Sequence, residues 1–515
     1  MVSLLCSALY IVLGLIGSLI GLLCLKDLIW YLRTLKYTKQ GIPLRYFPFI
    51  GFAGLIASPG AENGLEKFHK IFTKKGEAKR TEPIVAINGL TSDTFIMLNE
   101  KDLVKRYFDV ETKVSYTDNI LGFPFKNTFA FSKNGHKPLS DRAIFAEIFF
   151  TDNLRKQVPG IRAIVQKHLN RIKDEVRKLK SGDDFTEVEL KPFIRSIFKD
   201  VVSLVLFGGE IPEVDGETMV NQIIKVTEGY FHNSTSIPHI ITGGWSSKLL
   251  PSKEFAEINA IHQKVIRKLR EVVTYRMNSK EYTPGCNAVD LLIAKNNSLQ
   301  EQGKTDQMLT MEEIIDNIYV VIFAGMDTSK NLTQFSLTEL SKQRDIQSKL
   351  RKDVHGEIFG KGLGDGFDEY DQCELLDIFL KESLRVYTPG WIGAYRKVVK
   401  SFKLGPYKIH KGSMIFISFI TLFSRPEDFA NSKVFDLKKY DDKKKIKELS
   451  KFALIPFSAG KRRCIGRNLA EMVVKVILSN FLEEFDLEKS QEPNRSFAGI
   501  TLTLKHCRIR LRCRD

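Results

Sequence analysis

Residues 2–25 carry no charged side chain, and 24 residues of helix at about 1.5 Å each reach roughly 36 Å, enough to cross a hydrocarbon core of about 30 Å with some tilt. The pattern predicts a transmembrane helix over residues 1–26. No basic segment precedes it and no small-residue cleavage site is evident, so it reads as an anchor rather than a cleaved leader. Lys26, Arg33, Lys36, Lys39 and Arg45 all follow it, which by the positive-inside rule holds the rest of the chain on the cytosolic side. Residues 27–60 read as a basic hinge, with Gly41, Pro43, Pro48, Gly51, Gly54, Pro59 and Gly60 marking turns. Residues 61–515 show no break in composition and are expected to form one large unit, although the length alone would suit about three domains. Helical periodicity dominates from 140 to 385. An apolar run from Ile314 predicts a long central helix, opened by a capping box of Thr310 and Glu313. Leu469, Met472, Val473, Val476, Ile477 and Phe481 recur at three- and four-residue steps and predict another helix. Residues 390–421 alternate and carry turn residues, which predicts short strands. The expectation is a mainly α protein with small β-sheets behind an N-terminal transmembrane helix.

Composition narrows the function classes. The net charge is +17, but Lys and Arg are spread along the chain and interleaved with acids, without a nucleic-acid-binding motif. Attraction to anionic lipid explains the excess better. Seven cysteines, an odd number without pairing spacing, argue against a disulfide framework and for a reducing compartment. Gly362, Gly364 and Gly366 are close together but lack the preceding strand and full spacing of a dinucleotide fingerprint, so no nicotinamide or flavin site is expected. Glycosylation sequons start at Asn233, Asn296, Asn331 and Asn494. Asn331 falls within the predicted central helix, where a glycan has no room, in agreement with a cytosolic face.

The chemistry concentrates in Phe457-Ser458-Ala459-Gly460-Lys461-Arg462-Arg463-Cys464-Ile465-Gly466. Lys461, Arg462 and Arg463 place positive charge beside one sulfur just before a helix, whose amides point back at it, so the thiolate is expected to be favoured. Gly460 and Gly466 let the backbone turn sharply and let a flat ligand approach. A zinc site needs several close N or S ligands, and Cys464 has no C-x-x-C partner. A buried inert thiol and a nucleophilic cysteine with a distant His stay open on these residues alone.

This segment resembles the haem-binding loop of the cytochromes P450, F-x-x-G-x-R-x-C-x-G. Phe457, Gly460, Arg462, Cys464 and Gly466 fill every fixed position. The resemblance implies haem b (iron protoporphyrin IX), with Cys464 as the axial thiolate that pushes electron density onto iron to favour O–O cleavage. Ala324-Gly325-Met326-Asp327-Thr328 resembles the family's oxygen-binding motif. It implies a local helix distortion at Gly325 that admits O2, with Asp327 and Thr328 relaying protons. Glu382-Ser383-Leu384-Arg385 resembles the family's E-x-x-R ion pair, normally completed by an Arg downstream. Here the segment Phe435–Tyr440 has Lys439 for that Arg and Leu437 for a Pro, so a point charge replaces a planar fork and a weaker network is expected. In the segment similar to the family's C helix, Arg142 matches, whereas Pro138 stands where a Trp is common and belongs in a first turn. Arg142, Arg396 and Arg462 are the implied haem-propionate ligands.

The resemblance runs in family order from about residue 40 and implies the P450 fold. It also implies a microsomal-type, membrane-anchored haem-thiolate monooxygenase of the endoplasmic reticulum, with a single N-terminal pass and a cytosolic catalytic domain. Such an enzyme places one oxygen atom of O2 in a small apolar substrate, such as a fatty acid or sterol-like lipid, and releases the other as water. Electrons would come from an NADPH-dependent flavoprotein reductase, with cytochrome b5 as a further donor; no nucleic acid is involved. A rearranging or dehydrating haem-thiolate enzyme and a non-catalytic haem binder are the alternatives, and an intact Asp327–Thr328 pair counts against the first. Phe123, Phe125, Phe129, Phe323, Trp391, Ile392 and Ile500, with Ile322, are candidate pocket residues and equally candidate core.

Overall fold

The structure is a computed structural model that describes residues 2–514 apart from 48–68, 75–76, 90–93, 111–113, 117–127, 131–135, 180–183, 210–211, 235–250, 280–286, 361–365, 394–395, 442–451, 493, 495 and 499–500. Helix α1 (Val2–Thr38) does not stop at residue 26, where the apolar stretch ends. Residues 27–38, read from composition as the start of a hinge, are helical too. Trp30, Thr34 and Tyr37, spaced to share one helix face, are buried against the globule. Tyr37 Oη shares a 2.6 Å hydrogen bond with Ser413 Oγ, and Trp30 stacks on Tyr46 at 5.8 Å. Other side chains of α1 point outward and are apolar, Leu13, Ile16, Ile20, Leu25 and Leu32 among them. Among the described residues no helix is long and apolar enough to cross a membrane.

The chain leaves α1 through Gly41, whose φ of +76° strains any L side chain, and enters a six-stranded sheet. Its strands are β1 (Leu44–Arg45), β2 (Ile84–Asn88), β3 (Thr94–Leu98), β4 (Val114–Tyr116), β5 (Arg396–Val398) and β6 (Met414–Ile417), in spatial order β1-β2-β3-β6-β5-β4. The alternating 390–421 stretch supplies β5 and β6 and a hairpin of Phe402–Leu404 with Tyr407–Ile409. A C-terminal hairpin pairs β7 (Ser496–Ala498) with β8 (Leu502–Leu504).

Helices make the bulk of the fold. The principal ones after α1 are α2 (His136–Glu147), α3 (Val158–Leu179), α4 (Lys191–Phe207), α5 (Met219–Ser234), α6 (Lys253–Asn278), α7 (Met311–Lys342), α8 (Glu374–Tyr387) and α9 (Arg467–Glu484). Pro138 lies in the first turn of α2, where its missing N–H costs nothing. Helix α7 starts with the predicted capping box: Thr310 Oγ1 accepts from the Glu313 amide at 3.2 Å, and Glu313 Oε2 accepts from the Thr310 amide at 2.8 Å. It then runs through the middle of the molecule, packed by α4, α5, α8 and α9. Every residue from Ser329 to Ser341 is buried, so the C-terminal half of α7 has no solvent face. The same holds in α9 from Met472 to Leu482, where periodicity alone suggested a single apolar face. The side-chain nitrogens of three sequon asparagines are already used: Asn296 donates to the Leu309 carbonyl, Asn331 to Thr501 Oγ1 and Asn494 to the Arg508 carbonyl.

Helix α8 holds the second structural centre. Arg385 forks onto Glu382 through Nε at 2.7 Å and Nη2 at 2.8 Å, and neither side chain is exposed. The rest of the guanidinium donates to the carbonyls of Phe423, Ser432 and Val434 at 3.1, 2.6 and 3.1 Å. Glu382 accepts in addition from the Asp436 amide at 3.0 Å, Lys439 Nζ at 3.3 Å and Tyr440 Oη at 3.0 Å. Lys439 thus takes the expected third place, but sequence reasoning missed Tyr440, whose phenol supplies a donor beside the lone ammonium. A buried ion pair is tolerable only when its spare donors and acceptors are filled, and here they are. Arg385→Ala strands the Glu382 carboxylate and is expected to cost about 3–5 kcal/mol; Tyr440→Phe should cost about 1–3 kcal/mol. Lys439→Ala should cost less than either, since its ammonium lies at the edge and shares itself with the Val434 carbonyl. Equilibrium denaturation followed by circular dichroism checks the order, which a Lys439→Ala loss equal to that of Arg385→Ala would contradict.

Candidate functional site

The cysteine loop is built by backbone geometry before its side chains matter. The Ser458 amide bonds the Ile455 carbonyl at 2.8 Å, a 3-10 turn follows over Gly460–Arg462, and the Cys464 amide closes the loop on the Phe457 carbonyl at 2.8 Å. Closure needs two left-handed residues, Gly460 at φ +71° and Ser458 at φ +61°. For serine that conformation is strained, a cost characteristic of functional sites. Gly466 is different: its φ is −83°, so it is not needed for a left-handed turn.

The electrostatics around Cys464 depart from the sequence expectation. Burial pushes the thiol up from its ordinary value, and only partly opposing this are the Gly466 amide, which hydrogen-bonds the sulfur, and the guanidiniums of Arg142 and Arg467. The cations acting on the sulfur therefore come from α2 and the first turn of α9. Of the neighbours in sequence, Lys461 and Arg463 are exposed and Arg462 donates to the Phe129 carbonyl. Burial outweighs charge, so the metal-free site favours the thiol. Cys464 has exposed surface and lines a cavity.

That cavity measures about 380 Å3. Phe457, Cys464, Ile465, Gly466 and Leu469 line it from the loop and α9, and Val320, Val321, Ala324, Gly325, Thr328 and Leu332 from α7. Arg142 from α2, Arg396 from β5 and Arg462 and Arg463 from the loop also line it. Arg396 and Arg462 are themselves buried, and the Arg142 guanidinium donates to the Arg463 carbonyl. A Cβ added at Gly325 or Gly466 would meet nothing within 4 Å, so both glycines border open space. Helix α7 is continuous past Gly325, and the Thr328 hydroxyl donates to the Ala324 carbonyl at 2.8 Å. The groove expected there arises from the missing side chain, within an unbroken helix.

The donor set tests what fits. Among the described residues no group of three or more His, Cys, Asp or Glu could hold a metal ion. A metal at Cys464 must therefore bring most of its ligands with it. A flat apolar macrocycle with anionic edge groups matches one sulfur, open space beside two glycines, hydrocarbon walls and the lining arginines. Haem meets these terms.

The structure gathers most of the predicted residues. Arg142, Gly325, Thr328, Arg396, Phe457, Arg462, Cys464 and Gly466 line the cavity, as do Phe129 and Ile392; Gly460 shapes the loop. Asp327 is not among the lining residues, nor are Phe323, Trp391 or Ile322, which pack in or against the core. Phe123, Phe125 and Ile500 lie outside the described residues. Sequence reasoning missed the α4 wall of Phe198, Val201, Val202, Val205 and Leu206. Its helical spacing was visible, but an apolar stripe facing a cavity reads like one facing a core.

Comparison with known proteins agrees with this geometry. Residues 45–511 match the family described as Cytochrome P450. Cytochrome P450 26B1 of Mus musculus is 25% identical over 496 residues, covering 93% of this chain and 88% of that protein. Cytochrome P450 72A68 of Medicago truncatula is 24% identical over 411 residues, covering 77% of this chain and 74% of that protein. The solved structure of a retinoic acid-bound cyanobacterial CYP120A1 shares the fold, with a TM-score of 0.73 at 18% identity over 92% of this chain and 99% of that one. The chain therefore belongs to the cytochrome P450 family, monooxygenases that bind haem through a cysteine thiolate.

Proposed function

We propose that this cytochrome P450 is a membrane-anchored monooxygenase that places one oxygen atom of O2 in an apolar lipid-like substrate, with electrons from a flavoprotein reductase. The observation that carries this reading is that Cys464 and Thr328 line one cavity whose remaining walls are largely hydrocarbon. Haem bound there supplies the oxygen activation and the oxidation of the substrate. Cys464 would hold it through the sulfur, and Arg142, Arg396 and Arg462 would hold its acidic edge groups. Gly325 keeps α7 clear of the reacting centre. Thr328 brings a hydroxyl to the cavity, and to donate there it must release the Ala324 carbonyl. Asp327, its neighbour, holds the carboxylate that recharges it with protons. A rearranging or dehydrating reaction has no use for that pair, which favours oxygenation.

The substrate is selected by apolar shape, because among the lining residues of α4 and α7 only Thr328 and Ser329 are polar, beside Phe198, Val201, Val205 and Leu332. The outward apolar side chains of α1 and the cations that follow residue 25 support an endoplasmic-reticulum anchor with the catalytic domain in the cytosol. The sequon amides committed to hydrogen bonds agree with that side of the membrane. Exposed Lys461, Arg463 and Arg467 beside the cysteine loop suit an acidic surface on the reductase.

Reduced protein under carbon monoxide should show the red-shifted Soret band of thiolate-ligated haem, and Cys464→Ala should lose it; an unchanged spectrum in the variant refutes the assignment. Arg396→Leu should keep the band position but speed haem transfer to apomyoglobin by about tenfold or more, the loss of one charge-assisted contact. Removing residues 2–25 should release the protein from microsomes into an alkaline carbonate wash, and full retention would show that α1 is not the main anchor.

A further inference from the structure

The first charges after the uncharged run of α1 do not face outward. Lys26 pairs with Asp27 at 3.3 Å, Asp27 is only 7% exposed, and Tyr46 Oη donates to its Oδ2 at 2.5 Å. The outward face of α1 stays apolar for two further turns, through Leu25, Leu28, Tyr31 and Leu32, each more than half exposed. Only then does it turn cationic, at Arg33, Lys36 and Lys39. At that level α1 is fastened to the hairpin of Phe402–Leu404 with Tyr407–Ile409. Gln40 takes both backbone groups of Lys408, accepting from its amide and donating to its carbonyl at 3.3 Å, and Tyr37 Oη accepts from the His410 amide at 3.1 Å. The register of the hairpin sets Lys403 opposite Lys408, with both side chains exposed. Like charges so placed destabilise a hairpin. No Asp or Glu occurs in residues 28–61 or 383–426, and Glu82 and Glu100 act on Tyr407, which points to the other face of the hairpin. Among the described residues Lys36, Lys39, Lys403, Lys408 and Lys411 form no ion pair. Burial first, then the charges of Lys36 and Lys408, hold His410 below its ordinary value.

We propose that Lys403, Lys408 and Lys411, with Lys36 and Lys39 of α1, form a contact surface for anionic phospholipid headgroups, and that the lipid surface meets α1 at residues 31–33. The inference rests on the reading of α1 as a membrane anchor. An exposed Tyr followed by a row of cations is the order in which a helix leaves a bilayer, with the aromatic at headgroup level and Lys or Arg beyond it. For an upright α1, a headgroup layer about 6 Å deep that starts at Leu32 leaves the hairpin at Gln40 about 6 Å away, inside the Debye length of about 8 Å. A layer that starts at residue 25 leaves it about 16 Å away, where its charges are screened. Phosphate and serine carboxylate oxygens supply the counter-charges that the fold withholds. The like-charge register, a cost in water, becomes a paired site at an anionic surface.

The test uses the full-length, haem-loaded protein in nanodiscs of phosphatidylcholine, alone or with about one third phosphatidylserine. The parent and Lys403→Glu are first checked for an intact carbon monoxide band. Amine acetylation read by mass spectrometry should be about fivefold or more slower at Lys403, Lys408 and Lys411 when phosphatidylserine is present, and high salt should remove the protection. Lys403→Glu sets an acid opposite Lys408, so it should raise the Tm while abolishing the difference between the two lipids at Lys408 and Lys411. A photoactivated diazirine on the acyl chain should label Leu28, Tyr31 and Leu32. Equal acetylation in both discs would overturn the headgroup surface, and so would protection by inorganic phosphate in phosphatidylcholine discs. Acyl-chain labelling that ends at Leu25 would overturn the boundary, and a lower Tm in Lys403→Glu would overturn the role given to the register. A protein that enters neither disc would overturn the anchor reading itself, whereas one that enters both with equal acetylation leaves that reading standing.

Discussion

The buried contact between Arg385 and Glu382 is the constraint on which the functional end of this chain depends. Its two charges would be untenable in the core unless every remaining donor and acceptor found a partner. The partners come from residues 423–440, because Arg385 collects the carbonyls of Phe423, Ser432 and Val434 while Glu382 collects donors from Asp436, Lys439 and Tyr440. A stretch with little regular structure is thereby fixed against α8 by electrostatics. The cysteine loop follows the same stretch in sequence and lines the cavity together with α7 and α9. Substituting a lysine for a planar guanidinium in this network is tolerated because Tyr440 brings a second donor to the same carboxylate.

At the loop itself two physical effects oppose each other. Desolvation disfavours an anionic sulfur, and the Gly466 amide with Arg142 and Arg467 favours it; desolvation is the larger. The outcome distinguishes a ligand from a nucleophile. A cysteine that must attack a substrate needs its anion before the substrate arrives, whereas a metal ligand gains its anion from the metal. Cys464 is suited to the second role. The strained Ser458 and the left-handed Gly460 hold it so that the sulfur meets the cavity without any side chain having to reorganise.

The mainly helical architecture, the capping box of α7, the strands of the 390–421 stretch and the cysteine loop were legible in the sequence because each is written locally, in periodicity or in turn residues. Ion-pair geometry was legible as far as i, i+3 spacing reaches, hence Glu382 with Arg385. What escaped was determined by distance along the chain. Tyr440 lies 58 residues from Glu382, and Lys408 lies 368 residues from Gln40. The α4 wall escaped for another reason, since Phe198, Val201 and Val205 look the same whether they face neighbours or a cavity. What a list of nearby cations could not convey at Cys464 is burial, which opposes them while no metal is bound.

Helix α1 carries a consequence of its own. Its outward apolar residues and its buried seam at Trp30, Thr34 and Tyr37 belong to one continuous rod, with Gln40 bonding the Lys408 carbonyl just beyond its end. A rod is stiff where a hinge is loose. Were such a helix to lie in a bilayer, as proposed, its tilt would be passed as a lever to the sheet strands beneath the seam, and a change in hydrocarbon thickness would become a change in the height and attitude of the globule above the lipid headgroups. The mouth of the cavity and the cationic patch by Cys464 would then be aimed by the membrane, which turns lipid composition into a setting for both substrate capture and electron supply.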